Sequence, residues 1–435
     1  MNKLFILLAL SFLALVTSDD HTGNWAVLVA GSKGYNNYRH QSDVLHAYHI
    51  LLNKGIPADR IIVMIYDDIA NNSRNPFQGK IFNKPDGDDV YEGVPLDYTG
   101  DDVTAFNFLR VIAGDAESMT DIGTGRVVQS TSTDNVFIYF SDHGADGLVS
   151  FPNDYLYADD LISTLQEMYE NEKYNKLVFY MEACHSGSMF EDKLLADWNI
   201  YATTAADPSE SSYAYYCGSE ATVSGIKIGS CLGDEYSVKW MEQTEALTDL
   251  RTVTLKEQFE LVKQQTTGSH VMQYGTTDFE NDSLQDFQGK CYDFPYATGL
   301  LPRKKGKSKA LEITAYSKKF KRVKNEDMKL YYLKEIADTS NDEDAYEAYL
   351  EEVRMAARSK IIFDMFIEKF SLPNPRERPS NVVDYQCLRR VVEGYKDFCG
   401  LDVDRDTKYI KYITTYCTMN LPSVDAVDAF EEFCS

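Results

Sequence analysis

Basic side chains are scarce in this chain. Its 435 residues hold 43 Lys and Arg against 68 Asp and Glu, a formal net charge of -25 and a pI of about 4.7. No basic face dominates, which excludes a general nucleic-acid binder. Long apolar runs are scarce too: one lies at the N-terminus and no other stretch approaches membrane length. No CxxC or HxxxH spacing occurs, so the usual ligand pairs of a zinc site are missing, and only His143, Cys184 and His185 remain as a weak alternative set. No metal and no cofactor is expected. Disorder is disfavoured, because 44% of the residues are apolar and 30 are Tyr.

The N-terminal run, Leu4 to Val16, follows Lys3 and is broken only by Ser11. Val16 and Ser18 stand at the -3 and -1 positions of a signal-peptidase site, so residues 1–18 read as a signal peptide. The expected mature protein enters the secretory pathway and has no membrane span. In an oxidising compartment most of the eight cysteines should pair. Four of them, Cys387, Cys399, Cys417 and Cys434, crowd into the last 49 residues and suggest a stapled module whose connectivity the spacing leaves open. Cys217 and Cys231 flank the Gly- and Ser-rich stretch GSEATVSGIKIGS and read as a loop staple, which leaves Cys184 and Cys291 over. Asn71 and Asn281 begin glycosylation sequons.

Along the chain, WAVLVAG (25–31), RIIVMIY (60–66), NVFIYF (135–140) and KLVFYM (176–181) are short continuous apolar runs. They read as strands buried on both faces. Helical spacing at 43–52 and 161–169 lies between them, which argues an α/β unit with a mainly parallel sheet. The character changes near residue 290. Residues 301–324 hold ten Lys and Arg and one Glu, either a solvated linker or a segment that docks on acidic surface of its own chain. Beyond it the pattern is helical, broken by three prolines between 372 and 380. The expected units are 1–18, a catalytic domain over 19–290, a linker over 291–341 and a small helical domain over 342–435.

Two loops follow buried strands: Ser141-Asp142-His143-Gly144 after NVFIYF, and Glu182-Ala183-Cys184-His185-Ser186-Gly187 after KLVFYM. Loops at the carboxyl ends of parallel strands form the ligand crevice of an α/β sheet. Neighbouring strands would set His143 beside Cys184, an imidazole that lowers the thiol's pKa and protonates the leaving amine. Backbone N–H groups of Gly144 and Cys184 would face the developing oxyanion.

With these loops in view, the chain resembles the legumain (asparaginyl endopeptidase, vacuolar-processing) family of caspase-like cysteine peptidases. The resemblance rests on VAGSKGYNNYRHQSD, GIPADRIIVMIYDDIA, GVPLDYTGDDVT, VFIYFSDHG, EACHSGSM, YATTAADPSESSYA, LGDEYSVKWME and SHVMQYG. It implies a caspase-like α/β/α sandwich with a mainly parallel sheet and a C-terminal all-helical, disulfide-stapled prodomain. It also implies cleavage after Asn, and after Asp in acid. By motif, Cys184 and His143 match the catalytic pair and Asn37 the residue that orients the histidine. Arg39 and His40 match the floor of the primary specificity pocket, Glu182 and Asp234 its acidic partners, and Ser211, Ser212 and Tyr213 its wall. Such a pocket suits a carboxamide, whose oxygen accepts and whose nitrogen donates. The resemblance selects Cys387–Cys417 and Cys399–Cys434, aligns Asn341 with the self-cleavage position, and leaves Asn325 as a second candidate. It implies a zymogen inhibited by its own prodomain and activated in acid, a lysosomal, vacuolar or secreted location, and cystatin-type inhibitors as partners. Peptide ligation at Asn through the same acyl-enzyme is the alternative activity.

The chain departs from the family at three places. His185 follows the nucleophile where the family usually has Glu. The Cys217–Cys231 loop resembles the plant members. Residues 326–435 hold 14 Lys and Arg against 23 Asp and Glu, so apolar contact should matter more than charge in docking that module.

Overall fold

The computed structural model describes residues 23–290, 323–324, 343–377 and 382–435, together with 329–331, 333–334 and 337. The N-terminal segment 1–18, Cys291, all but the last two residues of the basic stretch 301–324, Asn325 and Asn341 lie outside the described residues.

Six strands form the central sheet: β1 (Gly23–Ala30), β2 (Ile61–Met64), β3 (Asp134–Ser141), β4 (Lys176–Glu182), β5 (Ile200–Thr204) and β6 (Met272–Gly275). Their order across the sheet is β6-β5-β4-β3-β1-β2. Neighbours among β1 to β5 run parallel, and β6 closes one edge antiparallel to β5. Side chains alternate between two cores. Ala26, Leu28 and Ala30 face one, and Trp25, Val27 and Val29 face the other. Because both faces are covered, the strands read as unbroken apolar runs instead of alternating ones.

Helices α1 (Tyr38–Asn53), α4 (Glu235–Ala246) and α5 (Leu255–Gln265) cover the first face. Helices α2 (Ala105–Ala113) and α3 (Ala158–Glu170) cover the second. Local chemistry sets their ends. The Thr104 hydroxyl accepts the N–H of Asn107 at the start of α2, and Gly114 ends that helix at φ 74°. Thr254 and Glu257 form a capping box on α5. Helix α1 starts earlier than the apolar spacing at 43–52 indicates. Its first turns carry Arg39, His40, Gln41, Ser42 and Asp43, all fully buried. A buried polar run breaks the apolar period while remaining helical.

The C-terminal residues form α6 (Glu343–Phe370), α7 (Tyr385–Cys399), α8 (Ile410–Cys417) and α9 (Ser423–Cys434). The bond Cys387–Cys417 ties α7 to α8, and Cys399–Cys434 ties α7 to α9. Their core, around Phe363, Phe366, Leu388 and Phe430, is continuous with Ala145, Leu148 and Tyr157. Those three belong to a small antiparallel sheet of Gly144–Ala145, Leu148–Ser150 and Tyr155–Tyr157, which follows β3 directly. Leu148 and Leu388 are both 0% exposed, and each such burial contributes roughly 2 kcal/mol. Arg389 pairs with Asp159 and Asp160 at the rim, where all three side chains keep 27–47% exposure and ion pairs are worth little. The helical module is therefore seated mainly by apolar contact.

Candidate active site

Strands β3 and β4 lie side by side in parallel, with Ser141 opposite Glu182. Two residues beyond that pair stand His143 and Cys184, so the two loops emerge together at the carboxyl end of the sheet. Cys184 is 2% exposed and, among the described residues, is the one cysteine outside a disulfide. Its Sγ lies 3.9 Å from both the carbonyl oxygen and the hydroxyl of Ser212. Gly144 packs against the Cys184 backbone: a Cβ there would stand 2.2 Å from the Cys184 carbonyl oxygen and 3.0 Å from the Ala183 Cβ. No other residue type fits that approach.

The orientation of His143 follows from Asn37. The Asn37 Nδ2 donates to the Lys33 carbonyl at 2.9 Å, so its Oδ1 is an acceptor and lies 2.9 Å from His143 Nε2. The His143 proton therefore sits on Nε2, and Nδ1 is left as the basic nitrogen. Asn37 is placed by the turn that leads into α1, and Arg39 Nη1 also reaches its Oδ1 at 3.4 Å. His40 meets His143 edge to face, with ring centroids 5.0 Å apart. Its Nδ1 lies 2.7 Å from the Ser32 hydroxyl and 3.0 Å from Asp142. Burial, then the charges of Arg39 and His143, hold His40 well below the usual histidine range. A neutral His40 adds no second positive charge beside His143 when that ring is protonated.

The residues expected to form the specificity pocket come from separate elements. Arg39 on α1 donates through Nε to Asp234 Oδ1 at 3.0 Å, both side chains fully buried. Asp234 stands just before α4, and His40 Nε2 lies 3.6 Å from its second oxygen. Glu182 ends β4, and its carboxyl accepts the N–H and the hydroxyl of Ser237 at 3.0 and 2.9 Å. Burial, then the charge of Asp234, push Glu182 well above the ordinary carboxylate range. Ser212 is buried beside Cys184, while Ser211 and Tyr213 are half-buried. Tyr213 begins a short strand, Tyr213–Tyr215, that pairs on one side with Gly233–Asp234 and on the other with Val323–Lys324. The last two residues of the basic stretch thus form a strand against Tyr213 and Ala214. Ala214 packs with the bonded Cys217–Cys231 pair, and Tyr331 packs on that cluster.

Sequence reading missed several members. Asp43 lies beneath Asp234, and its Oδ2 accepts the Asp234 N–H at 3.2 Å. Glu235 accepts the N–H groups of Thr267 and Gly268, which holds that loop behind Tyr213. The polar run RHQSD inside a helix otherwise apolar was the available signal for Asp43. His185 takes a left-handed conformation, φ 55°, and its Nδ1 lies 3.1 Å from the Pro208 carbonyl. It lines a cleft of about 850 Å³ whose far wall is Leu372 to Arg376, Lys411 and Tyr412 of the helical module. Asn71 and Asn281 are both exposed.

Two groups bring metal-type ligands within 4.8 Å of one another: His40 with Asp142 and His143, and Asp207 with Glu210 and His270. In the first group His40 Nδ1 is engaged by Ser32 and Asp142, and His143 Nε2 by Asn37. In the second, Glu210 accepts from both the ring and the backbone N–H of His270.

The sequence profile of the peptidase C13 family matches residues 24–290. The chain is 52% identical to mouse legumain over 271 residues, 62% of this chain and 60% of that protein. It is 49% identical to human legumain, over 66% of this chain and 64% of the other. The chain thus spans under two thirds of the length of these legumains. A vacuolar-processing enzyme beta-isozyme 1 of rice is 38% identical across 94% of this chain and 84% of its own. Among solved structures, caspase-1 of Spodoptera frugiperda is similar with a TM-score of 0.34 and 9% identity, over 58% of this chain and 86% of that one. The matched profile takes in both strand-end loops and every pocket residue named above, and on that match the chain belongs to the peptidase C13 family.

Proposed function

We propose that this chain is the zymogen of a cysteine endopeptidase that cleaves on the carboxyl side of Asn, and of Asp in acid. The observation that carries the reading is the fully buried Arg39–Asp234 pair, with Glu182 beside it, at the end of the sheet that holds Cys184. Arg39 donates to the side-chain oxygen of a bound Asn, and Asp234 accepts from its nitrogen. An ionised Asp would set its carboxylate against Asp234, whereas a protonated one restores the donor. His143, with its proton on Nε2, takes the thiol proton at Nδ1. The thiolate attacks the carbonyl, the imidazolium protonates the leaving amine, and water resolves the acyl-enzyme.

The seated helical module and the strand Val323–Lys324 support inhibition by the chain's own C-terminal part. Asn325 follows Lys324 directly, so it is preferred over Asn341 as the processing position. The units 1–18, 19–290, 291–341 and 342–435 are kept as signal, catalytic domain, activation segment and prodomain. The secretory route, a lysosomal or vacuolar destination, glycans on Asn71 and Asn281, and inhibition by cystatin-type proteins belong to the same reading. Ligation is the second reading, favoured by the stapled Cys217–Cys231 loop packed beside the pocket wall. There an amine replaces water at the acyl-enzyme.

The test is to incubate the full chain in acid and present it with a peptide library and an excess amine-bearing peptide. Mass spectrometry should find cleaved or joined products at Asn, absent in Cys184→Ala. Products at unrelated residues would overturn the reading.

A further inference from the structure

A buried polar chain runs along α1 from beneath Asp234 to the surface. Its first member is Asp43. Burial, then the charge of Asp234, push the Asp43 carboxyl well above the ordinary range, and Asp43 Oδ2 accepts the Asp234 backbone N–H at 3.2 Å. Its second member is Asn83, 2% exposed. The Asn83 Nδ2 donates to Asp43 Oδ1 at 2.6 Å, to the Leu232 carbonyl at 2.9 Å and to the Ser42 hydroxyl at 3.2 Å. Three acceptors around one nitrogen fix the amide's orientation, so Asn83 Oδ1 must accept a hydrogen bond. His46 Nδ1 supplies it at 2.8 Å. On its outer side His46 Nε2 lies 3.6 Å from Glu245, which pairs with Lys84 at 2.8 Å and is about half-exposed. The backbone closes over this chain at Gly233, where a Cβ would stand 2.8 Å from Asp43 Oδ1 and 3.0 Å from Asn83 Nδ2. Gly233 immediately precedes Asp234, so these side chains pack directly under the backbone of the pocket carboxylate.

We propose that His46 and Asn83 are positioning residues for substrate selection: they hold Asp43, and through it Asp234, in the orientation that accepts from a carboxamide nitrogen. Neither touches the substrate. This rests on the reading of Arg39, Glu182 and Asp234 as the side-chain pocket. The physical reason is that a buried carboxylate keeps a fixed aim only if its neighbours are themselves fully paired. Asp43 cannot turn while Asn83 holds one oxygen, and Asn83 cannot flip while His46 donates to the other end of its amide.

The experiment uses the full chain, acid-treated, with His46→Leu, His46→Asn and Asn83→Leu. An asparagine amide nitrogen replaces the Nδ1 donor, whereas leucine replaces none. Expected for His46→Leu is a rise in KM for an Asn peptide of roughly tenfold with kcat little changed, the cost of loosening one buried hydrogen bond. His46→Asn should return KM to within about twofold of the parent. Equal KM in His46→Leu and the parent, or no recovery in His46→Asn, would overturn the proposal. Nitrogen-15 spectra of the histidines give a reading independent of activity. His46 should be protonated at Nδ1 in the parent and shift to Nε2 in Asn83→Leu. A parent ring protonated only at Nε2 overturns the chain of donors. If the parent shows no preference for Asn, the pocket reading fails while the histidine spectrum still judges the chain.

Discussion

Replacing Gly144 by Ala probes the thiol site more sharply than removing a catalytic group does. The added Cβ would stand 2.2 Å from the Cys184 carbonyl oxygen, whereas ordinary contact begins at 3.4 Å. One of the two strand-end loops must therefore retreat by about 1.2 Å, the difference between those two distances. The atoms it would meet are backbone and a short Ala183 side chain, so no flexible group can give way. A displacement near 1 Å between nucleophile and carbonyl costs about 10²-fold in rate, or roughly 2.7 kcal/mol of activation free energy. The loss should fall mainly on kcat, because Arg39 and Asp234 sit on other segments. The assay is steady-state cleavage of an Asn peptide, with thiol titration to count intact Cys184 and circular dichroism to confirm the fold. A Gly144→Ala chain that keeps kcat within threefold of the parent would refute the packing argument.

Acid dependence should appear in stability as well as in activity. Asp43 and Glu182 are both pushed above the ordinary carboxylate range by burial and by Asp234. The folded chain keeps protons that the unfolded chain has released, so this contribution is full below the unfolded carboxyl pKa and is lost as pH rises through the folded values. Each group changes stability by up to about 1.4 kcal/mol per pH unit in that window; urea midpoints measured from acid to neutral pH should decline, and Asp43→Asn with Glu182→Gln should flatten the decline. Leu388→Asp places a charge in the apolar seat of the helical module. It should give cleavage at neutral pH without acid treatment, and continued latency would count against the apolar docking. Asn325→Gln should block the first acid-dependent mass change of the chain, while Asn341→Gln should leave it intact; the reverse result would move the processing position to Asn341.

The four apolar runs lie on β1 to β4 because a strand covered on both faces needs no alternation to announce it. The paired loops were legible for the same reason: each follows such a run. Strands β5 and β6 were harder to read. IYATT and MQYG are short and mix hydroxyl or amide groups among the apolar ones. The pocket was legible only through resemblance, since Arg39 and Asp234 are 195 positions apart and meet by tertiary folding. Asp43, Asn83 and His46 are ordinary polar residues in sequence. Only the structure shows that all three are buried and joined end to end. The seat of the helical module was half legible: the acidic balance of residues 326–435 argued against docking by charge, but nothing local marked Ala145, Leu148 and Tyr157 as its partners.

In the proposed mechanism Arg39, Glu182 and Asp234 select a carboxamide. The most direct measurement is the ratio of kcat/KM for two peptides that differ only as Asn or Asp at the cleaved residue, taken across the pH range from acid to neutral. The ratio should be large at neutral pH and fall by more than about tenfold on acidification, as the Asp side chain gains its proton. Equal cleavage of the two peptides at neutral pH would contradict the account.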